Sequence, residues 1–296
     1  MTSIAFIGLG NMGSGMAANQ AKAGHSVFAF DLSQEALARA KDAGMQPVES
    51  AAEAVKNAEV IITMLPAGQH VREVYTQEVL PNARPMALMI DCSTIDVASA
   101  RDVAADMEQN GFSMADAPVS GGTAAAQGGS LTFMVGCRDE VFGRVEEALR
   151  PMAKAIIHAG QSGAGQAAKI CNNMLLGVSM IGTCEAFVLA EKLGLDPQRF
   201  FDIASKASGQ CWSLTSYCPW PGPVPTAPSN RDFEGGFAVA MMLKDLKLAQ
   251  DAAQSVGADT PLGGGAEALF SELAQRGAGA KDFSFMIEML RGKLES

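Results

Sequence analysis

Short apolar runs alternate with alanine-rich or charged stretches through the first half of the chain, in a rhythm that predicts strands separated by helices. Residues 4–7 form the first run. It breaks at Gly8, and a helical mix containing Met16 continues to the stop signal at Gly24. Residues 25–30 read as a second strand closed by Asp31, and residues 33–44 as a helix. Residues 48–49 suggest a short strand, and Ser50 with Glu53 has the spacing of a capping box. Further strands are predicted at 60–65, ending at Pro66, at 86–91, leading into Cys92-Ser93-Thr94, and at 112–115. Two more follow at 131–135 and 155–158. Strands that alternate with helices form a doubly wound, mainly parallel sheet, an α/β Rossmann-type domain expected over residues 1–162.

The pattern changes after Gly163-Ala164-Gly165. A long segment, apolar and rich in small residues, runs without proline to Pro197 and predicts a central helix packed on all sides. Its most apolar window, 174–190, contains Glu185 and ends in Glu191 and Lys192, which fits a buried helix better than a membrane span. Residues 219–225 hold four prolines and must be an extended loop. Helical patterns fill the remainder, so residues 163–296 are expected to form an all-helical second domain entered through a long interdomain helix.

The turn after the first strand reads Gly8-Leu9-Gly10-Asn11-Met12-Gly13. In a strand–turn–helix setting, Gly8 permits the tight turn and Gly10 lets backbone approach a pyrophosphate. Gly13 allows close packing of helix on strand, while the helix N-terminus offers N–H groups to the anion. Asp31 follows at about the distance at which an acidic residue meets the ribose 2′-hydroxyl. Its carboxylate would repel a 2′-phosphate, and Leu32, Ser33, Gln34 and Glu35 supply no cation to bind one. NAD is therefore expected over NADP; a helix-capping role for Asp31 is compatible with this. Ligands of such sheets sit beyond the carboxyl ends of the strands. Leu65-Pro66 and Ser93-Thr94 fall there, as cofactor contacts or as simple turns.

Ser120-Gly121-Gly122 offers a hydroxyl and exposed backbone N–H groups, either a carboxylate cradle or an ordinary loop. Lys169 stands out in its apolar helix, where it opposes the helix dipole and is costly to desolvate unless it reaches solvent past the helix end. Asn173, four residues on, shares its face, and Asn172 is offset by about 100°. Net charge of −10 excludes a basic nucleic-acid-binding face. Six cysteines without a paired motif read as free thiols, and three scattered histidines give no zinc site. A chain that enters a strand at once leaves no room for a signal peptide, which points to the cytoplasm.

Four motifs in one order resemble the β-hydroxyacid dehydrogenase family, particularly its 3-hydroxyisobutyrate branch. They are the glycine turn, Asp116-Ala117-Pro118-Val119-Ser120-Gly121-Gly122, the run from Gly163 through Gln166, Lys169 and Asn172 to Asn173, and Gly236-Phe237 followed by Met242-Leu243-Lys244-Asp245-Leu246. The resemblance implies NAD-dependent oxidation of 3-hydroxyisobutyrate to methylmalonate semialdehyde in branched-chain (valine) catabolism, with Lys169 as general acid/base. It assigns the substrate carboxylate to Ser120, Gly121 and Gly122, and substrate orientation to Asn173, with Trp212 and Phe237 nearby. Lys244 (toward the cofactor) and Asp245 (toward the substrate) would close the cleft, with Leu65, Pro66 and Thr94 as cofactor contacts. It also implies a homodimer or homotetramer. Alternatives are a sister activity such as tartronate semialdehyde reduction and, from another class, a silent NAD-binding module, which would be expected to lack the lysine.

Overall fold

The computed structural model describes residues 1–294; residues 295 and 296, at the end of the second expected domain, lie outside the described residues. The chain forms two compact units, Met1–Lys169 and Ile170–Ser296. The first contains β1 (Ser3–Ile7), β2 (Ser26–Phe30), β3 (Gln46–Pro47), β4 (Val60–Thr63), β5 (Leu88–Asp91), β6 (Ser113–Asp116), β7 (Val119–Ser120), β8 (Leu131–Gly136) and β9 (Ala153–Gly160). They make one sheet in the order β3-β2-β1-β4-β5-β6-β8-β7, with β9 on β8. Pairing is parallel from β3 to β6; β8 then runs antiparallel to β6 and β7, and β9 parallel to β8.

The central strands β1, β4 and β5 are buried on both faces, which is why they are largely apolar. Ile4 and Phe6 point into one core with Met16, Val27, Ile62, Ile90 and Phe133, while Ala5 and Ile7 point into the other with Ile61, Met89, Val103 and Met107. The helices on the two faces are α1 (Gly13–Lys22), α2 (Gln34–Asp42), α3 (Ala51–Val55), α4 (Gly68–Glu73), α5 (Leu80–Asn82), α6 (Val97–Gln109), α7 (Gly122–Gly128) and α8 (Asp139–Leu149). Caps place several of them: Ser33 accepts from Ala36 N, Ser50 from Glu53 N and Asp96 from Ser99 N. The expected capping box is displaced by one residue, because the Glu53 carboxylate takes the Glu49 N–H.

Two expected strands shift, and one unexpected strand is present. The third strand is Gln46–Pro47 rather than 48–49, and the strand expected from residue 86 begins at Leu88, since Met86 is exposed with a φ of 64°. Val119–Ser120 forms a short strand that two residues of pattern could not announce.

The second unit is helical: the remainder of α9 (Ala164–Lys192), then α10 (Pro197–Ala204), α11 (Trp212–Thr215), α12 (Val239–Val256), α13 (Pro261–Leu273) and α14 (Met286–Leu290). Met180, Cys184 and Phe187 of α9 share its core with Val239, Met242, Phe270 and Phe283. Packing on all sides, however, is not observed for α9. Leu175 and Leu189 are 65% and 61% exposed, so one apolar face is left uncovered within the chain. The proline-rich loop is held from inside: Asn230 accepts from Gly222 N and donates to Val224 O, and Trp220 stacks on Phe187.

Candidate functional site

The glycine turn has the shape its sequence requires. Gly8 adopts a φ of 95°, where side chains are strained. A Cβ on Gly13 would collide with the Gly8 carbonyl, whereas one on Gly10 would meet nothing within 4 Å. Two glycines are thus demanded by backbone geometry and packing, and the third leaves open space at the turn. Asp31 bridges the turn to the next helix: one carboxylate oxygen accepts from Leu9 N at 2.6 Å and the other from Ser33 N at 2.8 Å. The cap of α2 is Ser33, so Asp31 remains at the end of β2, facing the glycine turn. Asn11 and Met12 complete the turn, Met12 standing directly before α1.

At the neighbouring strand ends buried polar groups hydrogen-bond to one another. Asp91 accepts from Thr63 Oγ1 at 2.7 Å and from Ser93 Oγ at 2.6 Å, and Ser93 Oγ in turn accepts from Leu65 N at 2.8 Å. The loops carrying Leu65-Pro66 and Ser93-Thr94 are therefore tied together. Burial pushes the Tyr75 hydroxyl, against Thr63, well above its usual range, as it does the Cys92 thiol. Ser120 lies in β7 opposite Thr132, and Gly121 and Gly122, with φ of 137° and 71°, lead into α7. A Cβ on Gly121 would press on Ala125.

Lys169 sits in the second turn of α9 and is 6% exposed. The first turn is anchored on Asp116, whose two carboxylate oxygens accept separately from Gly163 N (2.6 Å) and Gln166 N (2.8 Å). Burial raises Asp116 to about 6 despite these donors. Gln166, fully buried, accepts from Ile95 N at 3.1 Å and donates to Ser93 O at 2.7 Å.

The second unit assembles two further groups. Asn173 donates to Asp245 at 2.5 Å and accepts from Asn172 at 3.0 Å; Asn173 and Asp245 are both buried. Lys244 precedes Asp245 in α12. Separately, Asp282 accepts from Tyr217 (2.7 Å) and from Phe237 N (2.8 Å), and the half-exposed Trp212 stacks on Tyr217 at 4.8 Å. Trp212 and Phe237 are thereby linked through a buried carboxylate.

Comparison with known proteins matches this arrangement over its whole length. Residues 3–160 fit the family described as the NAD binding domain of 6-phosphogluconate dehydrogenase. Residues 163–290 fit that described as NAD-binding of NADP-dependent 3-hydroxyisobutyrate dehydrogenase. A 3-hydroxyisobutyrate dehydrogenase of Pseudomonas aeruginosa is 48% identical over 297 residues, covering 99% of this chain and 100% of that protein. The chain belongs to the 3-hydroxyisobutyrate dehydrogenase family. It is an NAD-binding oxidoreductase with the family's fold. The solved structure of Mycobacterium tuberculosis 3-hydroxyisobutyrate dehydrogenase with L-serine superposes with a TM-score of 0.96 at 51% identity, covering 98% of this chain and 99% of that one. A further family relative, an NAD-dependent L-serine dehydrogenase of Pseudomonas aeruginosa, is 46% identical over 286 residues and 96% of each chain.

Asp91 and Tyr217 carry no role in the sequence reading, and Asp116 and Gln166 enter it only as parts of motifs. Asp91 and Asp116 carried a usable signal: each is a carboxylate closing a buried strand. Gln166 carried none, because a glutamine at that spacing suits an exposed helix face equally well.

Proposed function

We propose that this chain oxidises 3-hydroxyisobutyrate to methylmalonate semialdehyde with NAD, and that Lys169 is its general acid/base. The observation carrying this reading is the placement of a nearly buried lysine one turn beyond a helix start anchored to the strand ends of a dinucleotide-binding sheet. Bound NAD supplies a two-electron hydride acceptor. Everything else falls to the protein. Loss of hydride from the hydroxyl-bearing carbon leaves a carbonyl, and the hydroxyl proton passes to Lys169 Nζ; in reduction the same atom returns it. Ser120, Gly121 and Gly122 hold the carboxylate, and Asn173, held by Asp245, orients the substrate. Asp31 supports NAD over NADP, because its carboxylate lies against the glycine turn, where a 2′-phosphate would meet like charge.

L-Serine is a second reading, favoured by the relative named for that substrate and by the neighbour solved with it. Both compounds are 3-hydroxypropanoates and differ only at C2, a methyl group in one and an ammonium in the other. The carboxylate and hydroxyl contacts can therefore be common, with selectivity resting on what surrounds C2. Cytoplasmic location, valine catabolism and a homodimer or homotetramer belong to the same proposal; the uncovered Leu175 and Leu189 face supports assembly.

Lys169→Ala tests the mechanism: turnover should collapse at least a thousand-fold while NAD affinity by calorimetry stays within a few-fold. A variant that keeps most of its turnover refutes it. Rates with 3-hydroxyisobutyrate, L-serine and tartronate semialdehyde, followed through reduced-cofactor absorbance, decide the substrate.

A further inference from the structure

The side chain of Gln166 is fully buried and both ends of its amide are engaged. The peptide groups it holds, Ser93 C=O and Ile95 N–H, are those that flank Thr94. A primary amide suits this bridging position because it presents one donor and one acceptor side by side, as a neighbouring strand would. Its own backbone N–H is held by Asp116, and Ser93 Oγ holds Leu65 N. One buried chain of hydrogen bonds thus runs from the loop after β4, through the loop after β5, to the first turn of α9. The approach is close enough to exclude side chains, since a Cβ on Gly165 would overlap the Met134 carbonyl and one on Gly136 the Asp116 carboxylate.

Lys169 is three residues further along the same helix. A helix advances about 1.5 Å and turns about 100° per residue, so any slip or rotation of the first turn is delivered undiminished to the lysine. Misplacement by about 1 Å at a reacting group costs on the order of 100-fold in rate.

We propose that Gln166 is a positioning residue for hydride transfer: its amide locks the Thr94 loop to the helix bearing Lys169, so that the cofactor-facing loop and the proton-transferring amine hold one fixed register. The proposal rests on Lys169 being the acid/base. It goes beyond that reading in assigning the accuracy of Lys169 to a side chain that touches neither substrate nor cofactor.

Two substitutions test it in the full-length protein. Gln166→Met keeps length and apolar contacts but removes both hydrogen bonds. Gln166→Glu keeps the acceptor for Ile95 N and sets a carboxylate oxygen against the Ser93 carbonyl, a repulsion that protonation converts into a donor. Folded Gln166→Met, assayed below its melting temperature, should lose about 100-fold in kcat, with KM and the calorimetric NAD affinity within about three-fold. Exchange of the Ile95 amide should accelerate at least ten-fold. Gln166→Glu should be similarly slow at pH 8 and recover relative to wild type as the pH falls, which also serves if the methionine variant does not fold.

Two kinds of result overturn the proposal. One is a kcat within three-fold of wild type, with an unchanged pH profile, in both folded variants. The other is a loss of kcat matched by an equal loss of NAD affinity. Lys169→Ala, run beside them, separates the two readings. If it is active, the acid/base assignment fails. If it is inactive while both Gln166 variants are active, only the positioning role fails.

Discussion

Replacing Asp116 with asparagine should remove a pH dependence built into the first unit. The wild-type carboxylate is buried at the end of β6, and desolvation raises it from 3.8 to about 6. A carboxylate that binds its proton more tightly in the folded chain adds stability as pH falls; that contribution is full below the unfolded value and vanishes as pH rises through the folded one. At about 1.4 kcal/mol per pH unit, it amounts to about 2 kcal/mol between pH 7 and pH 4.5. The substituted asparagine cannot titrate. It also offers one acceptor where Gly163 N and Gln166 N each occupy a separate oxygen, leaving one buried N–H unmatched at a cost of about 1–3 kcal/mol. Melting temperatures measured by differential scanning fluorimetry from pH 4.5 to 7 should therefore show a gap between wild type and Asp116→Asn that widens on acidification. At about 2 °C per kcal/mol the widening is about 4 °C. A gap that stays constant, or narrows, would show that Asp116 is not the raised group.

Two further expectations concern the cofactor turn. Gly10→Ala, whose Cβ meets nothing within 4 Å, should melt within about 1 °C of wild type yet lose at least ten-fold in calorimetric NAD affinity if, as proposed, the pyrophosphate takes that open space. Gly13→Ala, which collides with the Gly8 carbonyl, should instead lose about 3 kcal/mol of stability in chemical denaturation; equal behaviour of the two variants would contradict this division. Asp31→Ser removes the charge proposed to repel a 2′-phosphate, and the ratio of kcat/KM for NAD over NADP should fall at least ten-fold. NAD itself should bind more weakly, since Leu9 N loses its acceptor; an unchanged ratio would remove Asp31 from cofactor choice.

The sheet was largely legible because burial on both faces leaves apolar runs too short for helices. Val60–Thr63 and Leu131–Gly136 lie close to where the pattern put them. Legibility failed where two residues make a strand, as at Val119–Ser120, and where a residue's backbone rather than its side chain decides, as at Met86 with its positive φ. The uncovered face of α9 was hidden for a different reason: apolar composition signals burial without saying whether the covering surface belongs to the same chain. In the candidate site, the glycine turn and Lys169 stood out because each breaks a local preference. The bracket around Thr94 did not, since pairing Gln166 with Ser93 and Ile95 depends on contacts about seventy residues apart.

The anchoring of α9 bears on how the molecule comes into being. The carboxylate of Asp116 and the peptide groups beside Thr94 take hydrogen-bond partners from Gly163 and Gln166. A nascent chain that has emerged only as far as β9 therefore has every strand of the sheet but an unfinished carboxyl edge, with buried polar groups left to water. The nucleotide-binding unit is completed by the opening turns of the helix that also founds the next unit. Synthesis must run past Gln166 before these groups meet their partners, and a fragment cut at the end of β9 should be less stable than its complete sheet suggests.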